Sequence, residues 1–98
     1  MAIFNDKQII KLKKEFLVTI LFFYLENVMI NDIDTINKKY KNYNVNIKCI
    51  NWYEYKGEIQ PICIPAFYLY KGDREETIYG DDMDYVEEKI KDFIGGII

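Results

Sequence analysis

Histidine is absent from this chain of 98 residues. Its absence removes the side chain that most often moves protons near neutral pH, and with it most zinc sites. Cysteine occurs twice, at Cys49 and Cys63, too few for a disulfide framework. Arginine occurs once, at Arg74, and the net charge is −3. A nucleic-acid partner calls for a basic face, so none is expected. Lys11, Lys13, Lys14 and Lys38, Lys39, Lys41 form two short clusters that read as solvated helix faces. Long apolar runs are also missing. The richest, Phe16 to Leu25, is ten residues long, where a spanning helix needs about 20. The lysines before it give it the outline of a secretion signal. However, Glu15 interrupts that flank, and Glu26-Asn27-Val28-Met29 is a poor small-residue cleavage site. The expectation is a cytoplasmic protein with no membrane partner, no metal and no cofactor.

Against these absences, half of the residues are apolar and 16% are aromatic, a composition that folds rather than stays disordered. The length suits one domain, residues 1–98, with a single modest core. The excess of Ile, Lys, Asn and Tyr beside one arginine points to an AT-rich genome, such as some parasites, mollicutes or large viruses carry. No repeat, linker or low-complexity segment interrupts the chain.

Taken in order, Ala2 to Phe4 suits a short first strand, and Asn5 or Asp6 can cap a helix. Ile9, Leu12 and Phe16 then recur on one helical face. Leu17 to Tyr24 is almost continuously apolar and rich in β-branched and aromatic residues. It lacks the alternation of a half-exposed strand, so it reads as a central strand covered on both faces. Asn31 or Asp32 can cap a second helix, along which Met29, Ile33, Ile36 and Tyr40 form one face. Val45, Ile47 and Cys49 alternate with their neighbours in a strand running to Trp52, which makes Cys49 a core cysteine. Tyr53 to Gln60 contains Gly57 and precedes Pro61, so a turn or irregular helix is expected there. Trp52, Tyr53 and Tyr55 are either a partner-binding surface or the cover of a sheet edge.

The most informative stretch is Ile62-Cys63-Ile64-Pro65-Ala66-Phe67-Tyr68-Leu69-Tyr70-Lys71-Gly72. Pro65 cannot donate to a sheet ladder and belongs at the start of a strand or on an edge. Phe67 to Tyr70 are good strand formers, and Lys71-Gly72-Asp73 supplies a turn. Glu76 to Tyr79 makes a second strand, followed by Gly80. Asp81 or Asp82 caps a last helix whose apolar face is Met83, Val86, Ile90, Phe93 and Ile97, closed by Gly95-Gly96. The acidic set Asp32, Asp34, Asp81, Asp82 and Asp84 lacks the spacing and glycine of a calcium loop. Helix capping accounts for it.

Over residues 62–94 this order resembles the C-terminal half of thioredoxin. There an Ile-Pro-Thr-Phe-type element carries a cis proline, and a glycine, a Leu or Val and an Ile follow at the places of Gly80, Val86 and Ile90. The resemblance implies an α/β fold: a thioredoxin-like three-layer sandwich with a mixed five-stranded sheet in the order 1-3-2-4-5, flanked by helices. It also implies a cis bond between Ile64 and Pro65.

A thioredoxin works with Cys-x-x-Cys at the start of its second helix, where the helix N-terminus lowers the first thiol's pKa. The matching stretch here, Tyr24 to Ile30, contains no cysteine, and none precedes Cys49. The family's buried second-strand carboxylate is missing as well, since Leu17 to Leu25 holds none. The resemblance therefore implies a redox-inactive thioredoxin-like domain that is not an enzyme. Its protein or peptide partner would bind in the groove beside the cis-proline loop, built from Leu25, Glu26, Asn27, Val28, Met29, Cys63, Ile64, Pro65 and Gly80. The protein is expected to be a monomer or weak homodimer. The alternative is a thiol–disulfide oxidoreductase or redox-sensitive protein using the single thiol Cys63.

Overall fold

The computed structural model describes residues 4–26 and 29–95. The elements in chain order are β1 (Phe4–Asn5), α1 (Asp6–Glu15), β2 (Val18–Tyr24), α2 (Ile30–Tyr40), β3 (Val45–Asn51), β4 (Tyr55–Lys56), β5 (Ala66–Lys71), β6 (Arg74–Tyr79) and α3 (Met83–Ile94). Short 3₁₀ turns follow α2, at Lys41–Tyr43, and β3, at Trp52–Glu54.

The main sheet has four strands in the order β3-β2-β5-β6. β2 pairs parallel with β3 and antiparallel with β5, and β5 and β6 form a hairpin. The expected five-stranded order 1-3-2-4-5 is corrected at its first strand. Phe4 and Asn5 pair in parallel with Tyr55 and Lys56 rather than with β3, making a separate two-stranded sheet. The physical reason lies beyond the end of β3. The 3₁₀ turn at Trp52–Glu54 kinks the chain, and Asp6, just after β1, accepts hydrogen bonds from the Tyr55 hydroxyl and the Glu58 amide. Those bonds draw β1 toward the kinked segment. Ala2, named in the expected first strand, lies outside the described residues.

β2 is buried along its length up to Tyr24, as befits a strand covered on both faces. Val18, Ile20 and Phe22 meet α2 and α3 through Ile33, Ile36, Val86, Ile90 and Phe93. Leu21 and Phe23 point the other way, toward Ile9 of α1 and toward Tyr55. β5 divides in the same manner, with Phe67 and Leu69 on the first side and Ala66, Tyr68 and Tyr70 on the second. The result is three layers: α2 and α3, the sheet, and α1 with the segment after β3.

Among the described residues, local signals explain two of the three α-helix starts. Asn5 caps α1 in a capping box with Gln8, and Asp82 caps α3 through the Tyr85 amide. α2 differs from expectation. Neither Asn31 nor Asp32 caps it; both lie inside the helix, and Met29 occupies the cap position without a side-chain bond. Met29 is buried in the core, so apolar burial rather than capping fixes where α2 begins. Ile97 lies outside the described residues, as does Gly96, while Gly95 ends α3.

Candidate functional site

The topology brings three chain segments to one end of the sheet. β2 finishes at Tyr24 and leads through Leu25 and Glu26 toward α2. β5, antiparallel to β2, begins there, so Ile64 and Pro65 enter at the same end. β6 finishes there too and passes through Gly80 and Asp81 into α3. Open α/β sheets bind ligands in crevices of this kind, outside the carboxyl ends of the strands.

A cavity of about 280 Å³ lies at that end, lined by Phe22, Tyr24, Leu25, Glu26, Met29, Ile64, Pro65 and Asp81. Phe22 and Met29 are buried and provide an apolar floor. Tyr24 stacks on Phe22 with ring centroids 5.7 Å apart. Leu25 is 43% exposed and forms part of the rim. Glu26 and Asp81 are exposed. The Ile64–Pro65 bond is cis. Gly80, at a φ of 114° that side chains rarely adopt, donates its amide to the Pro65 carbonyl across 3.1 Å. That bond fixes the loop against the start of α3. No hydrogen bond to the amide or carbonyl of Ile64 forms among the described residues.

Of the residues expected to form the groove, Leu25, Glu26, Met29, Ile64 and Pro65 line the cavity. Gly80 stands behind it as the support of Pro65. Cys63 is exposed and outside the lining. Asn27 and Val28 lie outside the described residues. Sequence reasoning assigned Phe22 to the core and Asp81 to helix capping, and it gave Tyr24 no role in the groove. The signal for the two aromatics was available: they are two apart at the end of a strand and so share a face.

Cys49 sits elsewhere, half-buried on β3 opposite Phe22. It borders a second cavity, of about 180 Å³, with Phe4, Lys48 and Asn51. Tyr24 lines this cavity as well as the first. Burial, aided by the nearby Asp34 carboxylate, pushes the Cys49 thiol up to about 11, so it stays protonated near neutral pH. Among the described residues, no three His, Cys, Asp or Glu side chains converge to hold a metal ion. No helix among them is long and apolar enough to cross a membrane.

No protein-family model matches the chain, and no curated protein matches it. Solved structures do. A thioredoxin from Trypanosoma brucei brucei is similar over 95% of this chain and 91% of its own, with a TM-score of 0.69 at 12% identity. A mutant thioredoxin from Halobacterium salinarum is similar over 96% and 89%, with a TM-score of 0.65 at 12% identity. A designed protein is similar over 96% and 91%, with a TM-score of 0.66 at 16% identity. Likeness of shape at such low identity speaks for the fold alone, and that fold is a thioredoxin-like α/β fold.

Proposed function

We propose that this chain is a redox-inactive thioredoxin-like domain that holds a protein or peptide partner in the groove beside Ile64–Pro65. One observation carries the reading: a cavity with an apolar floor opens at the end of the central strand, beside a residue, Ile64, whose backbone groups are unpaired among the described residues. An extended peptide can add to such a backbone as a strand, taking affinity from main-chain bonds and selectivity from the neighbouring pocket.

The chemistry of the chain supports silence rather than catalysis. Disulfide exchange proceeds by thiolate attack on a disulfide and resolution of the mixed disulfide by a second thiol. The two cysteines lie on opposite sides of β2, one on β3 and one ahead of β5. Neither lines the groove. The test pairs two assays. Insulin reduction is expected to show no turnover above background. Capture of a partner from the native host is expected to succeed with the wild type and fail with Leu25→Arg, an exposed change on the rim. Sustained turnover, or equal capture by both forms, overturns the proposal.

The alternative, exchange through Cys63 alone, draws support from its exposure next to Ile64. Its thiolate would attack a partner's disulfide, forming a mixed disulfide and releasing the other sulfur as thiolate. A small external thiol would then attack the mixed disulfide and release Cys63 as thiolate; turnover that needs such a thiol and is abolished by Cys63→Ser would favour it.

A further inference from the structure

We infer that the groove is selective for an extended segment in which an apolar residue is flanked by lysine or arginine. The apolar side chain would seat on Met29 and Pro65, and the cations would reach Glu26 and Asp81. This rests on the groove reading above and adds the chemistry of the partner to it.

Among the described residues, the lining of the cavity contains two carboxylates and no cation. Neither carboxylate takes part in an ion pair among the described residues, whereas Glu15, Asp34, Glu76 and Glu87 each do. Among the described residues, helix capping does not occupy them. Asp82, not Asp81, accepts the Tyr85 amide at the start of α3, and Glu26 stands outside the first turn of α2, whose acidic residue is Asp32.

The surroundings carry the same sign. α2 and α3 both start at the groove end of the sheet, with Asp32 and Asp84 in their first turns. Lys38, Lys39 and Lys91 stand in their last turns at the opposite end, and Lys89 lies between, midway along α3. A mouth lined by one sign of charge attracts the opposite sign and repels its own. An acidic or uncharged segment of equal apolarity would fill the same floor without that attraction. The apolar floor therefore supplies affinity, and the rim supplies discrimination.

The test uses two fluorescently labelled synthetic peptides with the same apolar centre, one flanked by lysines and one by glutamates, with binding read by anisotropy. The lysine peptide is expected to bind about tenfold more tightly, roughly threefold for each exposed charge pair. Raising salt to about 0.3 M should shrink the difference by screening. In the Glu26→Gln/Asp81→Asn double variant the two peptides should bind alike. Both positions are exposed, so the fold should persist, and circular dichroism checks it. Equal binding of both peptides to the wild type, weakened for both by Leu25→Arg, would leave the groove standing and overturn the charge selectivity. A preference that survives in the double variant overturns it too. Failure of both peptides to bind at millimolar concentration removes the groove reading along with it.

Discussion

The Tyr55 hydroxyl donates a hydrogen bond of 2.5 Å to the Asp6 carboxylate, joining residues 49 positions apart. The same hydroxyl accepts the Ile59 amide at 3.1 Å, and the other Asp6 oxygen accepts the Glu58 amide at 3.0 Å. Two side chains thereby fasten the whole segment after β3 to the first turn of α1. Gly57 passes so close that a Cβ there would collide with both Asp6 and the Tyr55 hydroxyl.

Removing this clasp should loosen the fold in graded steps. Tyr55→Phe deletes one donor and one acceptor, at a cost of about 1–2 kcal/mol. Gly57→Ala should cost about 2–3 kcal/mol, because its methyl group overpacks the site and displaces both partners. Urea denaturation compares them. A Gly57→Ala variant as stable as the wild type would mean that the clasp does not hold the segment.

The centre of the core gives a larger expected effect. Phe67 and Phe22 are fully buried and stacked, with centroids 4.5 Å apart on neighbouring strands. Phe67→Ala should cost about 3–5 kcal/mol, a large share of the total of roughly 5–15 kcal/mol that holds a domain of this kind. Tyr53, at 81% exposure, serves as the contrast: Tyr53→Ala should move stability by no more than about 0.5 kcal/mol. The urea midpoints of the two variants should differ accordingly.

The two cysteines should never bridge within one molecule. β2 separates β3, which carries Cys49, from β5, which Cys63 precedes. Two steps across a sheet are roughly 9–10 Å, whereas a disulfide needs Cα atoms about 4.4–6.8 Å apart. Exposed Cys63 should be alkylated first at neutral pH, and Cys49 only after denaturant is added. Mass spectrometry after diamide treatment should show adducts or covalent dimers through Cys63. An internal link between the two cysteine peptides would contradict the strand order.

Alkali should unfold the protein from about pH 9 upward. Burial first, then the Asp6 hydrogen bond, raises Tyr55 from 10 to about 12. Burial, then Tyr79, raises Tyr68 to about 12. Burial also raises Tyr70, while Cys49 moves from 9 to about 11. All four are neutral when protonated and hold their protons more tightly in the folded state. Their contribution is complete below the unfolded values of 9 and 10. It is lost as pH rises through the folded ones, because only the unfolded chain then releases protons. Denaturant titrations at pH 8, 10 and 11 should show falling stability in that order. Tyrosinate absorbance should lag behind that of free tyrosine until the unfolding transition.

Much of the architecture was legible because burial imposes periodicity. The unbroken apolar run before Tyr24 announced a strand covered on both faces, and Ile33, Ile36 and Tyr40 traced the buried side of α2. What was not legible depended on contacts between distant parts of the chain. β1 is two residues long and carries no period of its own, and its partner was decided by Asp6 meeting Tyr55. The start of α2 was misplaced because capping residues at Asn31 and Asp32 gave a stronger local signal than Met29, which is held by the core. Of the residues lining the cavity at the end of β2, Leu25, Glu26, Met29, Ile64 and Pro65 had been named through the resemblance. Phe22 was assigned only to the core, and Asp81 looked like a cap.

β6 closes one side of the main sheet, and three charged residues, Arg74, Glu75 and Glu76, stand exposed in a row at its start. A bare strand edge is a template on which another chain can crystallise into a growing ribbon. A newcomer along β6 would have to strip water from three consecutive charges before gaining its first main-chain bonds. Growth of the sheet by a further strand is therefore disfavoured on the β6 side.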